Sequence, residues 1–302
     1  MRSPLLVCLA LAGCTSFRPE TLVEALRVLD IKAEPAEVAS GSVAMLTPLV
    51  VDLDPNADGR TVTYEWALCD KVPPTGVDIA TECYDDDAAD FISPLPTLAG
   101  GTSVFTMPPH TIRDLGTPDY TGGLYVPVRL RVTAGESKVT AFVKVRWANG
   151  FQPANKNPVL ADVAYIPTAD DGALPDLGQV VDPQPLPLDG APPLVLPFGG
   201  KLRFRATAQP GSAETYTTVT GNLSDPSSFK TAQTTELVRF FWYTSEGNIN
   251  NSVTGEARPD TVLDTHKYDE SSTRRQGVIE LWLVAHDERG GSDFLHRRIQ
   301  TQ

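Results

Sequence analysis

The chain has 302 residues, 41% of them hydrophobic, which is enough for two packed cores at about 100 to 150 residues per domain. Its 25 basic and 38 acidic residues give a formal net charge of −13, which repels phosphate backbones and argues against nucleic acid as a partner. The 26 prolines and 23 glycines interrupt the chain too often for long helices and favour an all-β fold of short strands and turns.

The N-terminal residues have the pattern of an export signal. Arg2 supplies a positive charge, and residues 5–11 form an apolar stretch too short to span a bilayer of about 30 Å. The following Leu11-Ala12-Gly13-Cys14 resembles the bacterial lipobox. The resemblance implies removal of residues 1–13, diacylation of Cys14 and attachment to a membrane, and Thr15 after the cysteine points to the outer membrane. The alternative is an ordinary secretory cleavage site at which Cys14 is only a small apolar residue.

This interpretation of the N-terminus also orders the cysteines. Cys8 leaves with the signal and Cys14 carries lipid, so Cys69 and Cys83 remain as a pair in an oxidising compartment. A disulfide between them would close a loop of about 15 residues and contribute roughly 3 kcal/mol. A metal site is the weaker alternative, because two cysteines without a nearby histidine leave a tetrahedral ion short of ligands.

The first half of the mature chain predicts a tether over residues 14–27, with one or two helical turns around residues 20–27, and then a β-sandwich module over residues 28–148. Alternation of apolar and polar residues marks its strands. The predicted strands are residues 29–35, 41–46, 62–68, 126–132 and 139–145. Val62, Tyr64, Trp66 and Leu68 form the expected core face of the third of these strands. The turn at residues 134–137 makes the last two strands a hairpin.

The second half repeats this plan as a module over residues 159–302, after a polar, turn-rich linker at residues 149–158. Its predicted strands are residues 159–163, 200–206, 238–243, 277–284 and 294–299. The last two are joined by a turn at Arg289-Gly290-Gly291. A proline-rich insertion at residues 165–197, with eight prolines, is excluded from a central strand position.

Together these features resemble the immunoglobulin-like β-sandwiches of bacterial surface proteins, including the polycystic-kidney-disease-type repeats. The shared features in the first module are Pro35, the Gly41-x-Val43 sequence, Trp66 in mid-domain and the closing hairpin. The resemblance implies a fold of two tandem immunoglobulin-like sandwiches. The inter-sheet cysteine pair of antibody domains is absent, because Cys69 and Cys83 both lie at or just after the tryptophan strand, which indicates a local disulfide.

Two acidic segments are candidate cation sites. Asp54, Asn56, Asp58 and Glu65 have the spacing of a calcium loop, with Gly59 at the turn position. Strands rather than helices flank this segment, so a plain inter-strand turn is the alternative. Residues 85–90 carry four aspartates, and a solvated loop is the alternative there too. Calcium is the one candidate cofactor, and no other is predicted.

The second module also predicts an aromatic patch. If the strands at 238–243 and 277–284 are neighbours, Phe240 and Trp242 point into the core while Arg239, Phe241 and Tyr243 point outward. Glu280 and Trp282 would point outward beside them. This patch could bind a protein partner or stack on a glycan. The alternative is that residues 165–197 cover it.

No catalytic motif is present: the sequence has no nucleophile elbow, P-loop, zincin or dinucleotide-binding motif. The four histidines, His110, His266, His286 and His296, are dispersed. The sequence therefore predicts a non-enzymatic, lipid-anchored envelope protein that acts in binding or structural display. The alternatives are an accessory subunit of a larger envelope complex and a glycan-binding module.

Overall fold

The computed structural model describes residues 19–54, 59–72, 78–85, 91–109, 118–148, 150, 152–166, 182–188, 191–196, 201–220, 228, 230–255, 257–265 and 277–301. The Cys14 motif lies outside these residues. The described strands are β1 (Arg27–Glu34), β2 (Glu37–Val38), β3 (Val43–Val51), β4 (Val62–Cys69), β5 (Ile92–Leu95), β6 (Ser103–Thr106), β7 (Tyr125–Ala134), β8 (Ser137–Trp147), β9 (Leu160–Ile166), β10 (Gln184–Pro185), β11 (Leu194–Leu196), β12 (Lys201–Ala208), β13 (Thr215–Thr220), β14 (Lys230–Thr235), β15 (Arg239–Thr244), β16 (Asn248–Ile249), β17 (Val253–Gly255), β18 (Asp260–Asp264), β19 (Val278–His286) and β20 (Ser292–Thr301). Short 3-10 helices occupy Thr81–Tyr84 and Ala99–Gly101.

Module 1 is an immunoglobulin-like sandwich of two sheets. One sheet has the order β1-β3-β6 and the other β2-β8-β7-β4-β5. The first strand is split at Pro35, so that β1 pairs antiparallel with β3 while β2 pairs parallel with β8 on the opposite sheet. The predicted hairpin is confirmed, because β7 ends at Ala134 and β8 begins at Ser137.

Module 2 follows the same plan. Its sheets have the orders β10-β9-β12-β18-β16 and β11-β20-β19-β15-β17. Here too the first strand of the sandwich, β9, pairs with β12, while β11 pairs parallel with the last strand, β20. The prediction of two immunoglobulin-like sandwiches is therefore confirmed. Strands β13 and β14 form an additional two-stranded ribbon between β12 and β15 that the sequence analysis did not predict.

Each module has its own core around a buried tryptophan. Trp66 in module 1 is 2% exposed, and its Nε1 donates to the carbonyl of Gly101 at 2.8 Å. Trp242 in module 2 is fully buried, and its Nε1 donates to Thr254 Oγ1 at 2.9 Å. A buried indole N–H needs such an acceptor. The predicted inward faces of both tryptophan strands are thus confirmed, with Val62, Tyr64 and Leu68 packing against the module 1 core.

The proline-rich insertion takes part in both sheets of module 2. Its described residues pair at sheet edges, β10 with β9 and β11 with β20, as expected for proline-containing segments. Leu186 is 2% exposed and belongs to the module 2 core. The described part of this insertion is therefore an edge element of the sandwich.

The two modules lie side by side in opposite directions. At one end, the guanidinium of Arg27, where β1 begins, lies 5.3 Å from the ring of Tyr243, near the end of β15. At the other end, Lys32 Nζ lies 3.0 Å from Asp293 Oδ1, at the start of β20. Strand β1 therefore runs antiparallel to β15 along the flank of module 2. The chain folds back at the linker.

Candidate functional site

The two strands that carry the predicted aromatic face of module 2 are neighbours, as expected. Strands β15 and β19 are antiparallel neighbours, and Tyr243 lies directly opposite Trp282. Phe240 and Trp242 are buried in the core, whereas Phe241 and Tyr243 lie on the other face. The register thus brings the predicted aromatic residues together.

This face is covered by module 1 and is not a free platform. Trp282 is 5% exposed and packs in a cluster with Val23, Leu29 and Val51. Tyr243 packs against the same cluster. The alternative cover was the insertion at 165–197, of which residues 167–181, 189–190 and 197 lie outside the described residues. Among the described residues, the cover consists of the segment before β1 together with β1 and β3. These apolar side chains would otherwise be left exposed on the outer face of module 1, so both faces are shielded from water at once.

The segment before β1 is also corrected. Residues 14–27 were predicted to be a tether with helical turns, but the described residues 19–26 include no helix. Val23 donates its N–H to the carbonyl of Thr244 at 2.9 Å, and Thr244 donates to the carbonyl of Thr21 at 2.9 Å. Val23 is buried beside Trp282 of module 2, whereas Leu26 is buried in the core of module 1. This segment is docked on module 2, because its apolar residues gain more by covering the aromatic face than by staying in water.

The two charged residues of the predicted patch, Glu280 and Arg239, lie at opposite ends of the aromatic face. Glu280 accepts hydrogen bonds from His296 and from Arg298, the latter at 3.2 Å. The His296 ring stacks on Trp282 with a centroid distance of 5.5 Å. Arg239 is exposed at the other end of β15, in register with His286. Glu280 and Arg239 thus flank the covered aromatic cluster and do not form one charged site with it.

His286 connects the aromatic face to module 1. Its Nε2 lies 3.3 Å from Asp30 Oδ1, and its ring meets the edge of Phe241 at a centroid distance of 5.3 Å. Burial alone would lower the pKa of His286, but the hydrogen bond and the charge of Asp30, with a smaller contribution from Asp287, outweigh it. The pKa of His286 is therefore raised above its ordinary value.

A buried ionic network, called here the junction network, lies where the linker meets both modules. At its centre the Arg289 guanidinium, 2% exposed, pairs with Glu236 and with Glu214, the latter at 2.8 Å. Its carbon also lies 5.1 Å from the centre of the Tyr216 ring. Burial raises the pKa of Glu236, although the hydrogen bond from Arg289 opposes the rise. A guanidinium in this setting is satisfied on several sides, as a buried cation requires.

The same network reaches module 1 through Asn155. Asn155 is 2% exposed, its N–H donates to Glu37 Oε2 at 2.8 Å and its side-chain amide donates to Asp287 Oδ2 at 3.1 Å. Glu37 pairs in turn with Arg146 at 3.3 Å. The linker is thus held by buried polar contacts to both modules. If the linker were a flexible hinge, these polar groups would be exposed to water instead.

A cleft of about 440 Å³, called here the junction cleft, opens between the modules beside this network. Module 1 contributes Val28, Asp30 and the face of β8 around Phe142, and module 2 contributes the turn between β19 and β20. The Asp30 side chain is 6% exposed. This is a concave surface built by both modules, with both apolar and charged walls.

The corresponding outer face of module 1 is covered by its own disulfide-bonded segment. Cys69 and Cys83 are bonded, with a Cα–Cα distance of 5.6 Å, which confirms the predicted disulfide. Arg129 and Arg131 on β7 are buried beneath this segment. Arg129 donates to the carbonyl of Cys83 at 3.0 Å and Arg131 to that of Tyr84 at 2.9 Å. These two cations satisfy carbonyls of the short 3-10 helix.

The predicted calcium ligands are described only in part. Asp54 Oδ2 lies 3.3 Å from Arg60 Nη1, and Glu65 is exposed on β4 opposite Arg131. Asn56 and Asp58 lie outside the described residues, as do Asp86, Asp87 and Asp90 of the second acidic segment. In the part of the chain that the structure describes, no three His, Cys, Asp or Glu side chains form a group that could hold a metal ion. The positive charge that faces the Asp54 carboxylate is the guanidinium of Arg60.

The junction network could not be found by sequence reasoning. Glu37, Asn155, Glu236 and Arg289 are far apart in the sequence, and each resembles an ordinary polar residue of a turn or strand end. The fold of module 2 brings Arg289 to Glu236, and the folding back of the chain brings Asn155 and Glu37 to the same place. The one local signal was the polar linker itself, which the sequence analysis treated as a spacer.

Comparisons with known proteins identify no family. No family model matches the chain, and no curated protein matches its sequence. Among solved structures, murine CEACAM1b is similar over 91% of this chain and 100% of its own, with 12% identity and a TM-score of 0.22. Drosophila OTK, extracellular domains 3–5, matches 94% of this chain and 98% of its own, with 9% identity and a TM-score of 0.22. The adhesin InvE of Yersinia pseudotuberculosis matches 91% of this chain and 60% of its own, with 12% identity and a TM-score of 0.20.

The TM-scores of these similar structures are far below 0.5, so the similarities give no information about function. The described residues include no helix long and apolar enough to cross a membrane.

Proposed function

We propose that this chain is a non-catalytic envelope lipoprotein, anchored by Cys14 at the outer membrane, whose two sandwiches form one rigid body for binding or structural display. The body carries its linker end away from the membrane. The observation that carries this proposal is the folding back of module 2 along module 1, with the N-terminal segment docked on module 2.

The folding back supports an orientation in which the end with the docked N-terminal segment faces the membrane. Thr21 and Val23 bond to Thr244 at the end of β15, and β20 ends at Thr301 on the same side. Only seven residue steps separate Cys14 from Thr21, a reach of at most about 25 Å. An acylated Cys14 would therefore hold this end of both modules close to the lipid. The linker and the junction cleft would then lie farther from it.

The junction supports rigidity rather than free movement of two modules. Trp282 and its apolar neighbours are buried between the modules, and Arg289 and Asn155 are buried in the junction network. Separating the modules would expose this apolar area and break the pairs of Lys32 with Asp293 and of His286 with Asp30, which costs several kcal/mol. The display surface is therefore the pair of modules as a unit.

The glycan-binding alternative loses its support, because the aromatic patch that suggested it is covered. The accessory-subunit alternative keeps the same anchor. It is favoured by the ribbon β13–β14, whose second strand is exposed along most of its length. An exposed ribbon edge offers main-chain hydrogen bonds to a strand of a partner. Stoichiometric co-purification of another envelope protein after gentle detergent extraction would favour this alternative.

The test of the anchor is intact mass and fractionation of the native protein beside Cys14→Ala, with Cys8→Ala as the matched control. We expect a mature N-terminus at Cys14 with added acyl mass, and membrane association that is lost only in Cys14→Ala. Cys8 belongs to the predicted signal and should be dispensable. An unacylated soluble product from the unchanged chain would refute the proposal.

A further inference from the structure

The junction cleft contains a buried carboxylate that is only half satisfied. The Asp30 side chain is 6% exposed, and its Oδ1 lies 3.3 Å from His286 Nε2. No donor among the described residues reaches its Oδ2. A buried carboxylate oxygen without a donor is costly, and a donor in the cleft recovers this free energy once the Asp30 side chain turns toward it.

The charges around the cleft select the sign of a ligand. Its walls include the carboxylates of Asp119, Asp287 and Glu288 in addition to Asp30. The facing cations are His286 and Lys144, and the ammonium of Lys144 is already 3.1 Å from Asp78. Several carboxylates within walls of low dielectric concentrate cations and exclude anions. A ligand for Asp30 Oδ2 is therefore positively charged.

The geometry of Asp30 also selects the kind of cation. A guanidinium pairs best with both oxygens of a carboxylate, and here Oδ1 is already held by His286. A metal ion would need several ligands, and the described residues offer no such group. An ammonium group needs one free oxygen. The apolar walls, Val28, Phe142 and Val143, would accommodate the methylene chain of an alkylamine.

We propose that the junction cleft binds a protonated aliphatic amine, such as a lysine side chain, with its ammonium group on Asp30 Oδ2. The amine would contact both modules, because Asp30 belongs to β1 while the opposite wall is the turn of β19 and β20. This binding does not depend on the lipid anchor.

The test is an NMR titration of the full chain with pentylamine, and with 1-pentanol as a neutral ligand of the same shape. We expect pentylamine to shift the ring resonances of His286 with a Kd at least tenfold lower than that of pentanol. Asp30→Asn keeps an acceptor for His286 and presents an amide N–H₂ to the ligand, so it should weaken pentylamine at least tenfold. Asp260→Asn, which removes one carboxylate paired with Arg205 on the opposite sheet, is the matched control and should bind normally.

Equal affinity for pentylamine and pentanol, or equal weakening by Asp30→Asn and Asp260→Asn, would overturn the proposal. If Asp30→Asn does not fold, the comparison of the two ligands on the unchanged chain still decides. Shifts that map outside the cleft would also overturn it.

Discussion

At the scale of single residues, Arg289 is a buried side chain whose loss should strongly destabilise the fold. It is 2% exposed and pairs with Glu236, which is 2% exposed as well. Replacing it with Met keeps much of its volume but leaves a buried carboxylate without its cation, which typically costs about 3–5 kcal/mol. We expect Arg289→Met to lower the free energy of unfolding by this amount in a urea titration.

The control for this prediction is Arg298→Met, because Arg298 lies on β20, close in sequence to Arg289. Its side chain is 55% exposed, and exposed pairs contribute less than about 1 kcal/mol.

The Arg289 variant should also recover stability in acid. Burial already raises the folded-state pKa of Glu236, and without Arg289 the protonated form is favoured further. Stability should then fall as the pH rises through that pKa, and a flat pH profile would contradict the argument.

His286 gives a second prediction, for stability near neutral pH. Its pKa is raised in the folded protein, so its contribution is fully present below the unfolded pKa of about 6.5 and is lost as the pH rises through the folded value. A shift of one pKa unit corresponds to roughly 1.4 kcal/mol. The loss of unfolding free energy should stay below this value, since the His286 side chain is 38% exposed and water screens its pair with Asp30. The measurement is the urea midpoint at pH 6 and pH 8.5. His286→Gln should flatten the difference.

At the scale of elements, the disulfide fixes the short helix Thr81–Tyr84 over β7. Reduction would release the segment whose carbonyls accept from Arg129 and Arg131. We expect the double variant Cys69→Ser with Cys83→Ser to lose about 3 kcal/mol of stability in module 1. Hydrogen exchange followed by mass spectrometry should show faster exchange in β7 and unchanged exchange in β12 of module 2. Equal acceleration in both modules would contradict a local role.

The covered aromatic face gives the next prediction. Trp282 is 5% exposed between the modules, so Trp282→Ala should create a cavity at their interface and cost about 3–5 kcal/mol in a thermal or urea titration. Leu237→Ala is the control, because Leu237 is 56% exposed beside the same sheet. An unchanged melting temperature for Trp282→Ala would mean that the face is open, and would restore it as a binding surface.

The strands that sequence reasoning located are those with a buried face. The sequences of β4, β7, β8, β15 and β19 alternate between core-facing residues and residues of the outer face, so periodicity alone predicted their inward face, although the outer faces of β7 and β19 are also covered. The ribbon β13–β14 was missed because its threonine-rich strands have no continuous apolar face. The segment before β1 was misassigned because Val23 packs on another module. Its partner surface is more than 200 residues away in the sequence, as the bond between Val23 and Thr244 shows.

At the scale of the whole molecule, folding back decides what a lipid anchor presents to the surroundings. Glu246 lies in the turn after β15, at the end where the N-terminal segment docks, and Leu237 lies before β15 at the linker end. The two positions are separated by about 20–25 Å along the strand. Both side chains are exposed, so either can carry a label without disturbing a core.

We expect energy transfer to an acceptor lipid to be stronger from a fluorophore at Glu246→Cys than from one at Leu237→Cys, in vesicles that carry the lipidated protein. The introduced thiol would be the one free for labelling, because Cys69 and Cys83 are bonded, Cys14 would be acylated and Cys8 removed. Equal transfer from both positions would mean that the body lies flat on the membrane, and the reverse order would mean that the linker end faces the lipid. Failure of the protein to enter vesicles would instead refute the anchor, so the orientation and the anchor are tested separately.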